Sequence, residues 1–276
     1  MIKTVFIPFL LFSFSSFADD YFLNMKGQPT QGGLIIAQTN ANAQVKINGK
    51  KAYKTDDGYF MFGFGRFAEK PIQLAITFAG TTYHATIPVT KRQFPTEVID
   101  GLPPSKVTPP AEVYAQIKAD NIKVGKARSF IDARKDFLEP FIWPANGRVS
   151  GVYGSRRILN GKPKRPHYGM DIANKTGTKV VAPASGKVRL AETGMYYTGG
   201  TIILDHGYGL TTTFMHLSKV NVEVGSYVHQ GEKIGEIGMT GRATGPHLDW
   251  RVNLGKKTRL DPQLLIPKNP LPKHSD

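Results

Sequence analysis

The sequence predicts a mainly all-β chain: a small N-terminal β-sandwich, a helical connector and a larger C-terminal β-rich domain. Three observations carry that prediction. Residues 19–100 are short alternating runs punctuated by Asn48-Gly49, Asp57-Gly58 and Ala79-Gly80. Residues 101–110, "GLPPSKVTPP", form a Pro-rich break ahead of a polar stretch with helical spacing. Residues 141–267 return to short apolar runs opened by glycines.

The N-terminus "MIKTVFIPFLLFSFSSFADD" places Lys3 before an apolar run and ends on the small-residue site "SFA". That order is the pattern of a secretory signal peptide over residues 1–18, so the expected location is the periplasm, with no stable membrane insertion. The absence of cysteine suits an oxidising compartment and excludes thiolate nucleophiles and cysteine-ligated metal. A formal charge of +15 indicates a polyanionic partner. For an exported chain, anionic envelope polymers fit that charge better than nucleic acid, for which no motif is present.

In the first domain, "QVKINGKKAY" is a two-residue hairpin signal, and Ile72, Leu74, Ile76 and Phe78 alternate on one strand face. After the break, Val113, Ile117 and Val124 recur at roughly helical spacing, so residues 101–140 read as linker and helical connector. "FIWPANGRVSGVYG" opens the second domain, and residues 268–276 are left as a tail. Within that domain "GTKVVAPASGKV" and "GSYVHQGEKIGEI" are loosely related. The pair resembles the barrel-sandwich pattern of lipoyl and biotinyl carriers, but neither turn holds the lysine dipeptide that such carriers modify.

The seven histidines divide by context. His84 reads as a strand surface residue, His229 and His274 as solvated, and His206 in "LDHGYG" as a turn-ordering residue. In "PHYGMDIA", His167 stands four residues before Asp171, with Gly169 allowing a tight turn. "TTFMHLS" ends an apolar run on His216, and "GPHLDW" puts His247 and Asp249 on one strand face. Each is weak alone. Together they meet the needs of a catalytic metal, which takes three N/O ligands and nearby groups to manage protons.

These motifs stand in the order of a known family. "HYGMDIA", "IILDHGYGLTTTFMHLS", "VEVGSYVHQGEKIGEIGMTGRATGPHLDW" and "RLDP" resemble the catalytic domain of lysostaphin-type zinc metallopeptidases, which cut peptide crosslinks in bacterial cell walls. The upstream part resembles the β-domain that precedes this catalytic domain in some exported Gram-negative members. The resemblance implies one Zn²⁺ per chain, with His167, Asp171 and Asp249 as ligands and His216 and His247 as catalytic residues. It implies a monomeric endopeptidase acting on peptidoglycan stem peptides, under the control of a regulatory envelope protein or free of one. Asp249 is a departure, because the family's third ligand is a histidine.

A second carboxylate should lower the Lewis acidity of the metal and make Mn²⁺ or Mg²⁺ more acceptable. The segment "GSRRILNGKPKRPH" reads as a basic loop leading into His167, and it and Arg242 are candidates to meet stem-peptide carboxylates. The competing expectation is a catalytically inactive domain of the same fold that binds and activates another wall hydrolase.

Overall fold

The computed structural model describes residues 23–101 and 107–267. The expected signal peptide, the middle of the Pro-rich break and the tail with His274 lie outside the described residues. The first unit runs through β1 (Asn24–Gly27), β2 (Leu34–Gln38), β3 (Gln44–Ile47), β4 (Lys50–Lys51), β5 (Tyr59–Gly63), β6 (Ile72–Phe78) and β7 (Thr81–Ile87). One sheet has the order β1-β2-β5 and the other β4-β3-β6-β7. Alternation sends Ile35, Ala37, Phe60 and Phe62 from the first sheet, and Val45, Leu74 and Ile76 from the second, into one shared core. Asn48 and Gly49 both have positive φ, as a two-residue hairpin of the primed type requires. His84 lies exposed on β7.

Beyond it come β8 (Thr96–Ile99), helix α1 (Tyr114–Ala127), β9 (Arg148–Gly151), β10 (Arg156–Leu159) and β11 (Lys162–Lys164). β12 (Met170–Ala173), β13 (Lys179–Val181), β14 (Gly186–Met195), β15 (Gly199–Asp205) and β16 (Leu210–Leu217) come next. The remaining strands are β17 (Lys219–Val220), β18 (Tyr227–Val228), β19 (Lys233–Glu236), β20 (His247–Leu254) and β21 (Thr258–Leu260). The large sheet has the order β18-β14-β15-β16-β20-β12-β9, with β21 on β20. The two related glycine-led segments pair crosswise, β13 with β19 and β14 with β18. Their sequence likeness therefore reflects a local two-fold arrangement of strands.

The two faces of the large sheet have different tasks. Leu248, Trp250 and Val252 of β20, Phe214 of β16 and Ile172 of β12 point into the main apolar core. The alternate residues, Asp249, Arg251 and Asn253, take the opposite face, as period-two geometry demands. Helix α1 covers part of that opposite face, where Val124 and Ala127 meet Leu190, Met195 and Ile203. No helix among the described residues is long and apolar enough to cross a membrane.

Two expectations need correcting. The helical part of the connector ends at Ala127, and the residues beyond it run irregularly along the sheet, held by side-chain contacts. Arg128 hydrogen-bonds Thr213 at 2.8 Å, and Asp132 pairs with Arg189 at 2.8 Å. The basic stretch before His167 is likewise a β10–β11 hairpin turning at Asn160-Gly161, and β10 also pairs with β8.

His206 bears out the turn-ordering reading. Its Nδ1 lies 2.7 Å from the Ser185 carbonyl and its Nε2 2.8 Å from the Thr212 hydroxyl, with no exposure. Burial pushes its pKa down to about 4. A depressed histidine gives its full contribution above the unfolded value of about 6.5 and loses it as the unfolded state takes up the proton. The stability of the metal-free protein should therefore fall between about pH 6.5 and pH 4, by about 3 kcal/mol from this residue. Urea unfolding across that range should show a shallower fall for His206→Gln than for the wild type.

Candidate metal centre

β12 and β20 lie side by side with Asp171 directly opposite Asp249. Two carboxylates at facing positions of a sheet repel, so the pair needs cations around it. His167 supplies the first neighbour: its Nε2 is 3.2 Å from Asp171 Oδ1 and 3.4 Å from Asp249 Oδ2. It is carried on the segment entering β12, where its N–H donates to Ser155 O and its carbonyl accepts from Gly154. The three residues are 1%, 8% and 2% exposed in the order His167, Asp171, Asp249, and each offers an atom within 4.8 Å of the others. His167 Nδ1 and Nε2 and Asp171 Oδ1 are buried and make no hydrogen bond of acceptable geometry. Of these, His167 Nε2 and Asp171 Oδ1 face each other beside Asp249, and buried unpartnered atoms at such a point suit a divalent cation with N and O ligands.

Electrostatics agrees with that picture. Burial opposes a charged His167, but the negative charges of Asp249 and Asp171 close to its Nε2 outweigh it and raise its pKa. Burial would likewise push the Asp249 carboxyl up, yet the Arg251 guanidinium and His167 hold it well below the usual range.

His216 and His247 join the cluster with ring centroids 4.8 Å apart. His247 Nε2 is 3.9 Å from Asp171 Oδ1. The alternation of β16 would turn residue 216 to the core side with Phe214. Instead the β15–β16 register shifts between Gly200 and Ile202, and His216 adopts φ 65°. This bulge and left-handed residue bring the imidazole onto the other face. Each ring is tied through Nδ1 to a carbonyl, His216 to Thr240 O at 2.9 Å and His247 to Gly245 O at 2.8 Å. A carbonyl only accepts, so Nδ1 donates and Nε2 keeps a lone pair. Burial pushes the pKa of His216 down to about 4, helped by the neighbouring His247.

The sequence reading overlooked two partners. Arg251, two residues beyond Asp249 on the same face, forms a fork to it: Nε to Oδ1 at 2.9 Å and Nη2 to Oδ2 at 2.6 Å. Period two would have revealed it. Arg157, expected to meet substrate, instead donates to Asp171 Oδ2 at 3.1 Å and to Glu97 at 3.2 Å. Arg242 lies with its guanidinium 4.4 Å above the Tyr197 ring. His229 is exposed, as expected.

Gly169 also has a different role from the tight turn expected of it, since its φ is not positive. A Cβ there would stand 2.5 Å from Asp249 Oδ1 and 2.6 Å from Arg251 Cγ. Gly151 makes the same room for Asp171, whose Oδ2 a Cβ would strike. Gly151→Ala and Gly169→Ala should each cost about 1–3 kcal/mol in chemical denaturation, because the buried carboxylate must move.

Residues 165–262 match peptidase family M23. A metalloprotease of Haemophilus influenzae is 43% identical over 93 residues, 33% of this chain and 19% of that protein. The peptidoglycan DD-endopeptidase ShyA of Vibrio cholerae is 38% identical over 107 residues, 38% of this chain and 24% of that protein. The chain thus spans only about a fifth to a quarter of the length of these curated relatives. A crystal structure described as an M23 peptidase from Pseudomonas aeruginosa superposes with a TM-score of 0.64 at 25% identity, covering 86% of this chain and 95% of the other. The family match takes in His167 and the strands that carry Asp171, His216, His247 and Asp249, so that residues 165–262 are similar to a domain of peptidase family M23.

Proposed function

We propose that the chain is an exported metallo-endopeptidase hydrolysing peptide crosslinks of peptidoglycan in the periplasm. Residues 1–18 would be its signal peptide, 19–100 a β-sandwich domain, 101–140 a connector and 141–267 the catalytic domain. His167, Asp171 and Asp249 are the proposed ligands of one Zn²⁺. The observation that carries this reading is the convergence of orphaned, buried His167 and Asp171 atoms beside Asp249. The V. cholerae relative, named a peptidoglycan DD-endopeptidase, supports the substrate class.

His167, Asp171 and Asp249 would hold a divalent ion, which when bound would supply Lewis acidity and lower the pKa of a water. The protein's own part is proton handling. With Nδ1 committed to carbonyls, His216 and His247 each present Nε2 as an acceptor. One of them takes a proton from the attacking water as the oxygen adds to the carbonyl carbon. The charged ring then donates to the leaving amine nitrogen as the C–N bond breaks. The low pKa of His216 keeps that ring neutral at neutral pH, the state a base requires. Retention of all these groups around one centre weighs against an inactive activator domain.

Isolated sacculi incubated with the purified protein should release peptide fragments, and a chelator should stop the release. Bound metal measured on the same sample should be near one ion per chain. Absence of both metal and chelator-sensitive release would sink the reading. His216→Ala and His247→Ala should keep the metal and lower turnover roughly 10²–10⁴-fold. Asp249→His should retain or raise activity, whereas Asp249→Ala should lose the metal.

A further inference from the structure

We infer that Asp249 and Arg251 form one functional unit, in which Arg251 is the positioning residue that makes an aspartate workable as the third ligand. The inference rests on the proposed metal site. An aspartate is shorter than a histidine and has free rotation about its last bond, so its reach and its orientation both have to be fixed from outside. Arg251 does this with two bonds, at 2.9 and 2.6 Å, one to each oxygen. A planar guanidinium fork of this kind sets the carboxylate plane, which one bond would leave free to turn. The plane so fixed aims Oδ2 at His167 Nε2, 3.4 Å away. Each carboxylate oxygen has a second lone pair, so the fork leaves Asp249 able to ligate.

Three observations separate this arrangement from a chance surface pair. Arg251 is largely buried, and Asp249 is almost wholly so. Gly169 leaves space for both residues at once, since a Cβ there would press on the Asp249 oxygen and the Arg251 Cγ together. The neighbouring carboxylate also has a guanidinium, though by a single bond: Arg157 takes Asp171 Oδ2 and leaves Oδ1 facing His167. Each carboxylate thus has its own guanidinium and its own glycine. The two positive charges also offset the second negative charge that the aspartate brings to the site.

A histidine at 249 would have no use for the fork, because an imidazole offers no second oxygen to hold. Residues 249 and 251 should therefore be energetically coupled in metal binding. The test is a cycle on the full chain, stripped of metal and titrated with Zn²⁺ against a chromogenic chelator. Its members are the wild type, Arg251→Gln, Asp249→His and the double variant, with Arg251→Lys as a folded control that keeps the charge. Arg251→Gln should weaken Zn²⁺ binding roughly 10–100-fold in the Asp249 protein. Arg251→Lys should recover only part of that loss, since an ammonium cannot make the fork. In the Asp249→His background the same Arg251→Gln change should alter affinity less than about threefold, a small fraction of that loss. Equal losses in both backgrounds would reduce Arg251 to general scaffolding and overturn the inference. Unchanged or tighter binding in Arg251→Gln and Arg251→Lys would overturn it too, making Arg251 a competitor for the carboxylate. A wild type that binds no Zn²⁺ would remove the metal reading itself, and the inference with it.

Discussion

Two buried carboxylates facing each other across one register of a sheet are the constraint on which the rest of this domain depends. Asp171 and Asp249 occupy adjacent strands at a paired position and are nearly inaccessible. Two unit charges roughly 5 Å apart repel by about 3 kcal/mol at an effective dielectric of 20, before any cost of desolvation. The surrounding residues answer that cost one by one. His167 stands between the two carboxylates, Arg251 closes on one and Arg157 on the other. Gly151 and Gly169 keep the backbone clear of both. What this shell still lacks is a partner for the orphaned His167 and Asp171 atoms, and a divalent cation has the right charge and ligand taste to be that partner.

The sheet makes the arrangement possible by separating packing from chemistry. β20 alternates Leu248, Trp250 and Val252 into the core with Asp249, Arg251 and Asn253 on the other side. The core face fixes the register, because a slip of one residue would bury the charged set in the apolar layer. His216 is the one site group that this alternation would misplace. Its bulge and positive φ place local strain at the point where a second imidazole is needed. The hydrogen bond from His216 N to Thr198 O and the Nδ1 bond to Thr240 O hold that strained residue in place.

Much of the fold could be read in the sequence because strand alternation and turn glycines are local signals. The common face of His247 and Asp249 came from period two, and the first hairpin from Asn48-Gly49. The same rule applied two residues further would have found Arg251. Other features were out of reach for physical reasons. The displacement of His216 depends on a register shift between two strands, which no single strand encodes. Arg157 looked like any loop cation, and only the β10 hairpin turns it toward Asp171. Gly169 was legible as a special position but for the wrong reason, since the demand for space comes from a strand about 80 residues later in the chain. Helix α1 ends at Ala127, and the Arg128 side chain just past it finds its partner Thr213 on β16, again a long-range contact.

The substitution of an aspartate for a histidine ligand is usually reasoned about as a change in ligand charge alone. On that reasoning a second carboxylate quenches the metal, which is what the sequence by itself suggested. The structure shows why the reasoning is incomplete here. Asp249 arrives together with a guanidinium that holds both its oxygens, and Asp171 has one of its own. The charge that an ion at the proposed centre would meet is therefore set by two carboxylates and two nearby guanidiniums, not by the proposed ligands alone. A neutral surround of this sort withdraws less from the ion than two bare carboxylates would, because each guanidinium draws electron density and field away from the oxygens it binds. The ligand set and the residues that bind it have to be counted as one electrostatic object before the acidity of a bound water can be argued.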